Sequence, residues 1–181
     1  MYDYDAIVIG SGPNGLAAAI TLQREGYKVL IVEGKKTIGG GLRTAELTLP
    51  GFHHDVCSAI HPMAAGSPFF NTLPLKEFGL HFIHPEICAA HPLSDGSTGL
   101  LYQSLQQTAA ALGVDADTYQ QIFQPLVTAW PGIENNLLGP LSIPAHPVSM
   151  VKFGLKALLP AEKFAKKFKS EKARALWAGM A

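Results

Sequence analysis

Glycines at 10, 12 and 15, an acid at 33, and an arginine at 43 behind three consecutive glycines are the residues of this chain whose types and spacing suit chemistry. Each answers a separate demand of a bound pyrophosphate. Gly10 allows a sharp turn in which φ can be positive. Gly12 has no Cβ, so a pyrophosphate can approach the backbone closely. Gly15 lets the following helix pack tightly on the preceding strand. Pro13 and Asn14 lie at the start of that helix, where unpaired N–H groups and the positive end of the helix dipole face the phosphates. The Glu33 carboxylate can accept both ribose hydroxyls of an adenosine and would repel a 2′-phosphate, which disfavours NADP. Gly34 follows that acid. Small residues at Gly39, Gly40 and Gly41 would let a second loop lie against ribose and pyrophosphate, with Arg43 neutralising phosphate charge.

The elements that must position these residues are legible on either side. Residues 4–9 read as a buried parallel strand, 15–25 as an alanine-rich helix ended by Gly26 at its C′ position, and 28–33 as a second strand. Strand, glycine turn, helix, strand and acid form the sequence pattern of a βαβ dinucleotide site. The expected fold is α/β: a Rossmann-type FAD-binding βαβ unit with a partial parallel sheet, followed by a mixed, mostly helical segment. Residues 1–64 are assigned to the N-terminal part of the nucleotide domain. Residues 65–181 are assigned to part of a substrate or cap region, with short strands and then helices.

The run from Gly10 through Gly12, Gly15, Leu16, Ala19, Leu22, Gly26, Val29 and Glu33 to Gly39, Gly40, Arg43 and Thr44 resembles the dinucleotide-binding motif of FAD-dependent oxidoreductases of the glutathione-reductase type. These include amine oxidases, carotenoid desaturases and retinol saturases. Residues 50–62, from Pro50-Gly51-Phe52 through Asp55 to His61-Pro62, resemble the next segment of the phytoene-desaturase-like branch. The resemblance implies FAD as cofactor, held by Gly10, Gly12, Pro13, Asn14, Gly15, Glu33, Gly34, Gly40, Gly41 and Arg43. It implies a hydride equivalent taken from an apolar or amine substrate, and it names no catalytic acid or base. A nicotinamide dehydrogenase is disfavoured by the second glycine cluster. Two further readings are a non-enzymatic binding protein resembling the GDP-dissociation inhibitors, and an inactive truncated fragment. Relatives of this type are several times longer, and no third strong β-run with a crossover helix is visible after residue 65. The expectation is therefore an N-terminal portion of a larger enzyme, completed in one version by a second chain.

Further along, 45–49 reads as a strand stopped by Pro50-Gly51, and 68–78 as a short helix or helical turn broken at Pro74. Residues 80–83 and 87–90 are strand candidates. Ser94-Asp95-Gly96-Ser97 marks a hairpin. Residues 104–112 read as a helix ended by Gly113, and Asp115 as the N-cap of a helix over 116–129 that Pro125 bends. Four prolines make 131–147 an irregular connector, and two or three helices follow, with Pro160 between the first two.

Composition narrows the function classes. Hydrophobic residues make up 48% and charged ones 15%, which suits a folded core rather than disorder. Fourteen bases balance fourteen acids, which gives no support for nucleic-acid binding. The balance is uneven: residues 148–181 carry eight bases against Glu162 and Glu171. The segment 148–169 sets lysines and large apolar residues at near-helical spacing, as would a solvated basic face on a helix packed against the rest of the enzyme, or a helix on an anionic membrane surface. Two cysteines and a polar N-terminus suit a cytoplasmic protein, with peripheral membrane contact through that segment. His53, His54, Asp55, Cys57 and His61 match no zinc spacing, and no metal is expected.

Overall fold

The computed structural model describes residues 3–180, in two compact units that meet in sequence at Ala65 and Gly66. In the first, β1 (Ala6–Ile9) pairs in parallel with β2 (Val29–Val32), Ala6 opposite Val29 and Ile9 opposite Val32. Helix α1 (Pro13–Arg24) connects them and starts on Pro13, whose missing N–H costs nothing in a first turn. It ends as the sequence pattern predicts. Gly26 takes φ +88° and donates to Gln23 O, and Tyr27 donates to Leu22 O, the paired bonds of a Schellman motif.

The predicted strand over 45–49 contracts to β3 (Thr44–Glu46), antiparallel to β4 (His53–Asp55). The chain reverses between them at Pro50-Gly51, Gly51 with φ +84°. A single helical turn, α2 (Pro62–Ala65), closes the unit. Alternation on β1 puts Ala6 and Val8 on one face and Ile7 and Ile9 on the other. Ile7 and Ile9 are 63% and 87% exposed, so one face of this two-stranded sheet is open.

The second unit begins with a short 3₁₀ turn at Phe70–Thr72 and successive turns from Leu75 through Gly79, the helical-turn form of the reading over 68–78, interrupted at Pro74. Residues 80–83 form no strand. They contain exposed Leu80, Phe82 and Ile83 and have no partner strand among the described residues to satisfy an extended backbone. The hairpin is as predicted: β5 (Ile87–Pro92) pairs with β6 (Thr98–Tyr102), and Asp95 Oδ1 accepts from Ser97 N at 2.8 Å and Ser97 Oγ at 2.7 Å inside the turn. Helix α3 (Leu105–Leu112) starts on Ser104, whose Oγ accepts from Gln107 N, and ends at Gly113 with φ +61°. Buried Thr108 fastens it to β6, accepting from Tyr102 N at 2.9 Å and donating to Ser104 O at 3.0 Å.

Helix α4 (Ala116–Leu138) is longer than predicted and continues through both Pro125 and Pro131, so 131–138 is helical rather than irregular. The carbonyls deprived of their i+4 donors belong to Gln121 and Val127, both exposed, where water can replace the lost bond. Three helices follow, divided at Pro160 as expected: α5 (Pro147–Ala157), α6 (Ala161–Ala165) and α7 (Glu171–Ala178).

The core of this unit gathers Ala109, Leu112, Tyr119, Phe168, Ala173 and Leu176. Trp177 stacks on Phe123 with centroids 4.5 Å apart. Helix α7 can lie close to β6 because residue 99 is glycine: a Cβ there would sit 2.6 Å from Lys172 O.

Asp115 stands at the start of α4, but its side chain does not cap that helix. It is completely buried and accepts from Lys169 N (2.7 Å), Ser170 N (2.8 Å) and Ser170 Oγ (2.5 Å). Burial pushes its carboxyl up. The bonds from Lys169 and Ser170 together outweigh burial and hold it below the ordinary carboxylate value. Its contribution is therefore full near neutral pH and fades as pH falls below the unfolded carboxyl value. Asp115→Ala leaves three donors short of an acceptor. We expect a loss of about 3 kcal/mol in the second unit, read by urea unfolding with tryptophan fluorescence. A change under about 1 kcal/mol, the worth of one ordinary hydrogen bond, would contradict this role.

Candidate functional site

The site forms where β1 stops and the backbone turns over the start of α1. Gly10 takes φ +96°, as a sharp exit from the strand demands, and its N–H donates to Val32 O at 2.7 Å. Gly15 is required for a different reason. A Cβ there would lie 2.1 Å from Gly10 O, so any side chain would collide with the turn. Gly12 is the N-cap residue of α1 with extended backbone, and no side chain caps that helix N-terminus. The first N–H groups of α1, at Asn14 and Gly15, thus begin the helix without a side-chain acceptor, which makes its positive end suited to an anion. Asn14 is exposed at this end and Pro13 half-exposed.

The second glycine cluster comes to the first. Gly39 N donates to Ser11 O at 3.1 Å, and a Cβ on Gly40 would fall 2.9 Å from Gly12 Cα. Gly40 has φ +57° and opens a short 3₁₀ turn, Gly40–Leu42. Two loops far apart in sequence therefore meet backbone on backbone. Arg43 is half-buried beneath them, and its Nε donates to Gly40 O at 2.8 Å. One of the five guanidinium donors is thus used to shape the loop. Gly41 lies beside Cys57 and accepts from Ser58 N at 2.9 Å, which ties the loop to the segment after β4. Gly34 is exposed, and a Cβ there would meet nothing.

Glu33 immediately follows β2, and its carboxylate reaches back to the first loop. Oε2 accepts from Ser11 N at 2.9 Å and from Ser11 Oγ at 2.6 Å, and Oε1 accepts from Lys35 N at 2.9 Å. These bonds, the Ser11 hydroxyl first, draw its pKa from 4.5 down to about 2. The carboxylate is charged at any physiological pH. A nucleotide ribose would share an acid that already clamps the turn. The sequence pattern does not single out Ser11, although it is buried and holds Glu33 with both of its donors. The available signal is a small hydroxyl residue between the first two glycines, where only a short side chain can turn inward.

The structure thus brings Gly10, Gly12, Pro13, Asn14, Gly15, Glu33, Gly40, Gly41 and Arg43 into one cradle, with Gly34 at its edge. Its donors and charge suit a dinucleotide: an open helix N-terminus, bare backbone on both sides, and an ionised acid at the sheet edge.

Comparison with known proteins points the same way. Residues 8–73 match the model of the NAD(P)-binding Rossmann-like domain. The chain is 31% identical to a limonene dehydrogenase subunit of Castellaniella defragrans over 123 residues, which are 66% of this chain and 22% of that protein. It is 40% identical over 78 residues to pyridine nucleotide-disulfide oxidoreductase domain-containing protein 2 of Rattus norvegicus, 43% of this chain and 13% of that one. It is 55% identical over 40 residues to the soluble pyridine nucleotide transhydrogenase of Escherichia coli, 22% and 9% of the respective chains. Among solved structures, a putrescine oxidase variant redesigned in cofactor binding superposes with a TM-score of 0.53 at 20% identity, covering 94% of this chain and 35% of that one, a likeness of fold. The chain thus spans about a fifth or less of the length of these curated relatives. The family match bears out the expectation of a Rossmann-type dinucleotide domain in the first unit.

Ser11→Ala removes the hydroxyl bond that most lowers the Glu33 pKa. Glu33 should then titrate nearer 4.5, against about 2 in the native chain. A group with a depressed folded pKa stabilises fully above its unfolded value and loses that contribution as pH falls toward the folded one, so the loop clamp should weaken from about pH 4.5 downward. A carboxyl NMR titration of Glu33 in both proteins reads this. Identical midpoints would refute the Ser11 clamp.

Proposed function

We propose that the chain, whose residues 8–73 match the NAD(P)-binding Rossmann-like domain, is the N-terminal part of an FAD-dependent oxidoreductase of the phytoene-dehydrogenase-like kind. The carrying observation is the meeting of the two glycine loops at Gly12 and Gly40, backbone on backbone beside the uncapped start of α1, where a phosphate can reach main-chain N–H groups. The N–H groups opening α1 would face the phosphates, the Glu33 carboxylate would accept from the adenosine ribose, and the remaining guanidinium donors of Arg43 would face negative charge. When bound, FAD supplies an acceptor for a hydride equivalent from an apolar or amine substrate. The charged state of Glu33 favours a ribose with a free 2′-hydroxyl over a 2′-phosphate.

The substrate reading draws support from the relative named for limonene, a dehydrogenase subunit. That designation also supports a second chain as partner. The open face of the β1–β2 sheet, with Ile7 and Ile9 in solvent, supports the same reading, because a parallel sheet is stable when both faces are covered.

The test separates ligand from fold. A Cβ on Gly12 would stand 3.9 Å from Gly40 Cα, an ordinary contact, and its φ of −69° suits any residue. Gly12→Ala should therefore keep the fold and weaken FAD at least tenfold, and Gly12→Val should abolish binding. Flavin fluorescence titration against FAD and NADP, with far-UV circular dichroism as the fold check, reads both. Unchanged FAD affinity in Gly12→Val removes the site assignment. Gly15→Ala, with its Cβ 2.1 Å from Gly10 O, should instead disturb the fold itself by about 2 kcal/mol or more.

A further inference from the structure

Helix α5 turns toward solvent the kind of face that helices usually bury. Val148, Val151, Leu155 and Leu158 recur at helical spacing along it and just past its end, and are 67%, 60%, 67% and 85% exposed. The opposite face carries half-buried Phe153, 6.5 Å ring to ring from Trp130 of α4. So α5 already has its packing face, and the outward stripe is additional. Leu141 and Ile143, in the connector just before α5, stand almost wholly in solvent. Single exposed apolar residues are ordinary, but an aligned row of four on one helix is a surface with a use.

Charge identifies the occupant. Lys152 follows Val151 and Lys156 follows Leu155, so both lie along one side of the stripe. With Lys167 they line a groove of about 410 Å³ between α4 and α5, floored by Leu126, Ala129 and Leu159. No acid lines it. Lys156 Nζ spends one donor on Ile122 O at 3.1 Å. Over 139–170 there are six lysines against Glu162 alone, and Glu162 is already paired with Lys166. A second copy docked on this face by two-fold symmetry would set lysines against lysines. At eleven residues α5 is far short of the roughly twenty needed to cross a bilayer, and no described helix is long and apolar enough to do so.

We propose that α5 is an interfacial helix that docks on an anionic lipid surface. Val148, Val151, Leu155 and Leu158 enter the acyl boundary, and Lys152, Lys156 and Lys167 meet headgroup phosphates. This goes beyond the nucleotide-site reading and stands without it.

The experiment is cosedimentation of the full chain with vesicles of phosphatidylcholine alone and of phosphatidylcholine mixed with phosphatidylglycerol, at low and high salt. Binding is expected to the mixed vesicles only and to fall with salt. Val151→Ser with Leu155→Ser should abolish it. Replacing Lys152, Lys156 and Lys167 with Gln should weaken it roughly fivefold per lysine, on the order of 100-fold together. Ile9→Ser, on the open β1–β2 face, should leave it unchanged. All these side chains except Lys156 are exposed, and unchanged circular dichroism checks the fold. No vesicle binding, equal binding to both compositions, or binding that survives the Val151/Leu155 pair overturns the proposal. Self-association that Leu155→Ser removes, without vesicle binding, overturns it in favour of a second copy.

Discussion

Backbone meeting backbone is the constraint on which this molecule's first unit rests. Gly15 packs against the carbonyl of Gly10 at a distance that leaves no room for a methyl group, and Gly40 does the same against Gly12. The second of these approaches brings together loops separated by nearly thirty residues of sequence. The Ser11 and Glu33 hydrogen bonds then fasten the turn to the end of β2. Steric absence and hydrogen bonding act together: glycine permits the close approach, and the acid holds the loop in place. The turn thus carries the uncapped N–H groups of α1 at one end and the ionised Glu33 carboxylate at the other.

That geometry compensates for a lack of interior. In the first unit only Ser11 and Ala19 among the described residues are fully buried, so buried apolar area contributes little of its order. One face of the β1–β2 sheet meets water through Ile7 and Ile9. The second unit is built in the opposite way. Its core joins α3, α4 and α7 through Leu112, Tyr119 and Leu176, with Phe168 and an aromatic stack around Trp177. Its hydrogen bonds lock helices rather than shape a cleft. One unit is arranged around a space and the other around a core.

Legibility in the sequence follows the range of each interaction. The βαβ unit, the Schellman end at Gly26, the helix ending at Gly113 and the Asp95-Gly96 hairpin rest on contacts a few residues apart, and all are readable from composition and period. The helix through Pro131 is not, because a proline's cost depends on whether the stranded carbonyl faces water. The strand expected at 80–83 fails because apolar runs need a neighbouring strand, and none is there among the described residues. Asp115 has the look of a local cap and is a long-range acceptor. In the candidate site the glycines and Glu33 are legible through their spacing. Ser11 is not, because its role depends on a partner twenty-two residues away.

The Asp115 bonds also set an order of events during synthesis. The donors at Lys169 and Ser170 lie more than fifty residues downstream of their acceptor. While the chain is still emerging from the ribosome, α3 and α4 can form through local contacts, yet the aspartate between them must stay hydrated. The aromatic core cannot seal over a charge that lacks its amides. The second unit therefore matures late and all at once, when the start of α7 arrives, and a chain stalled before that point presents a wet, half-assembled surface for chaperones to hold.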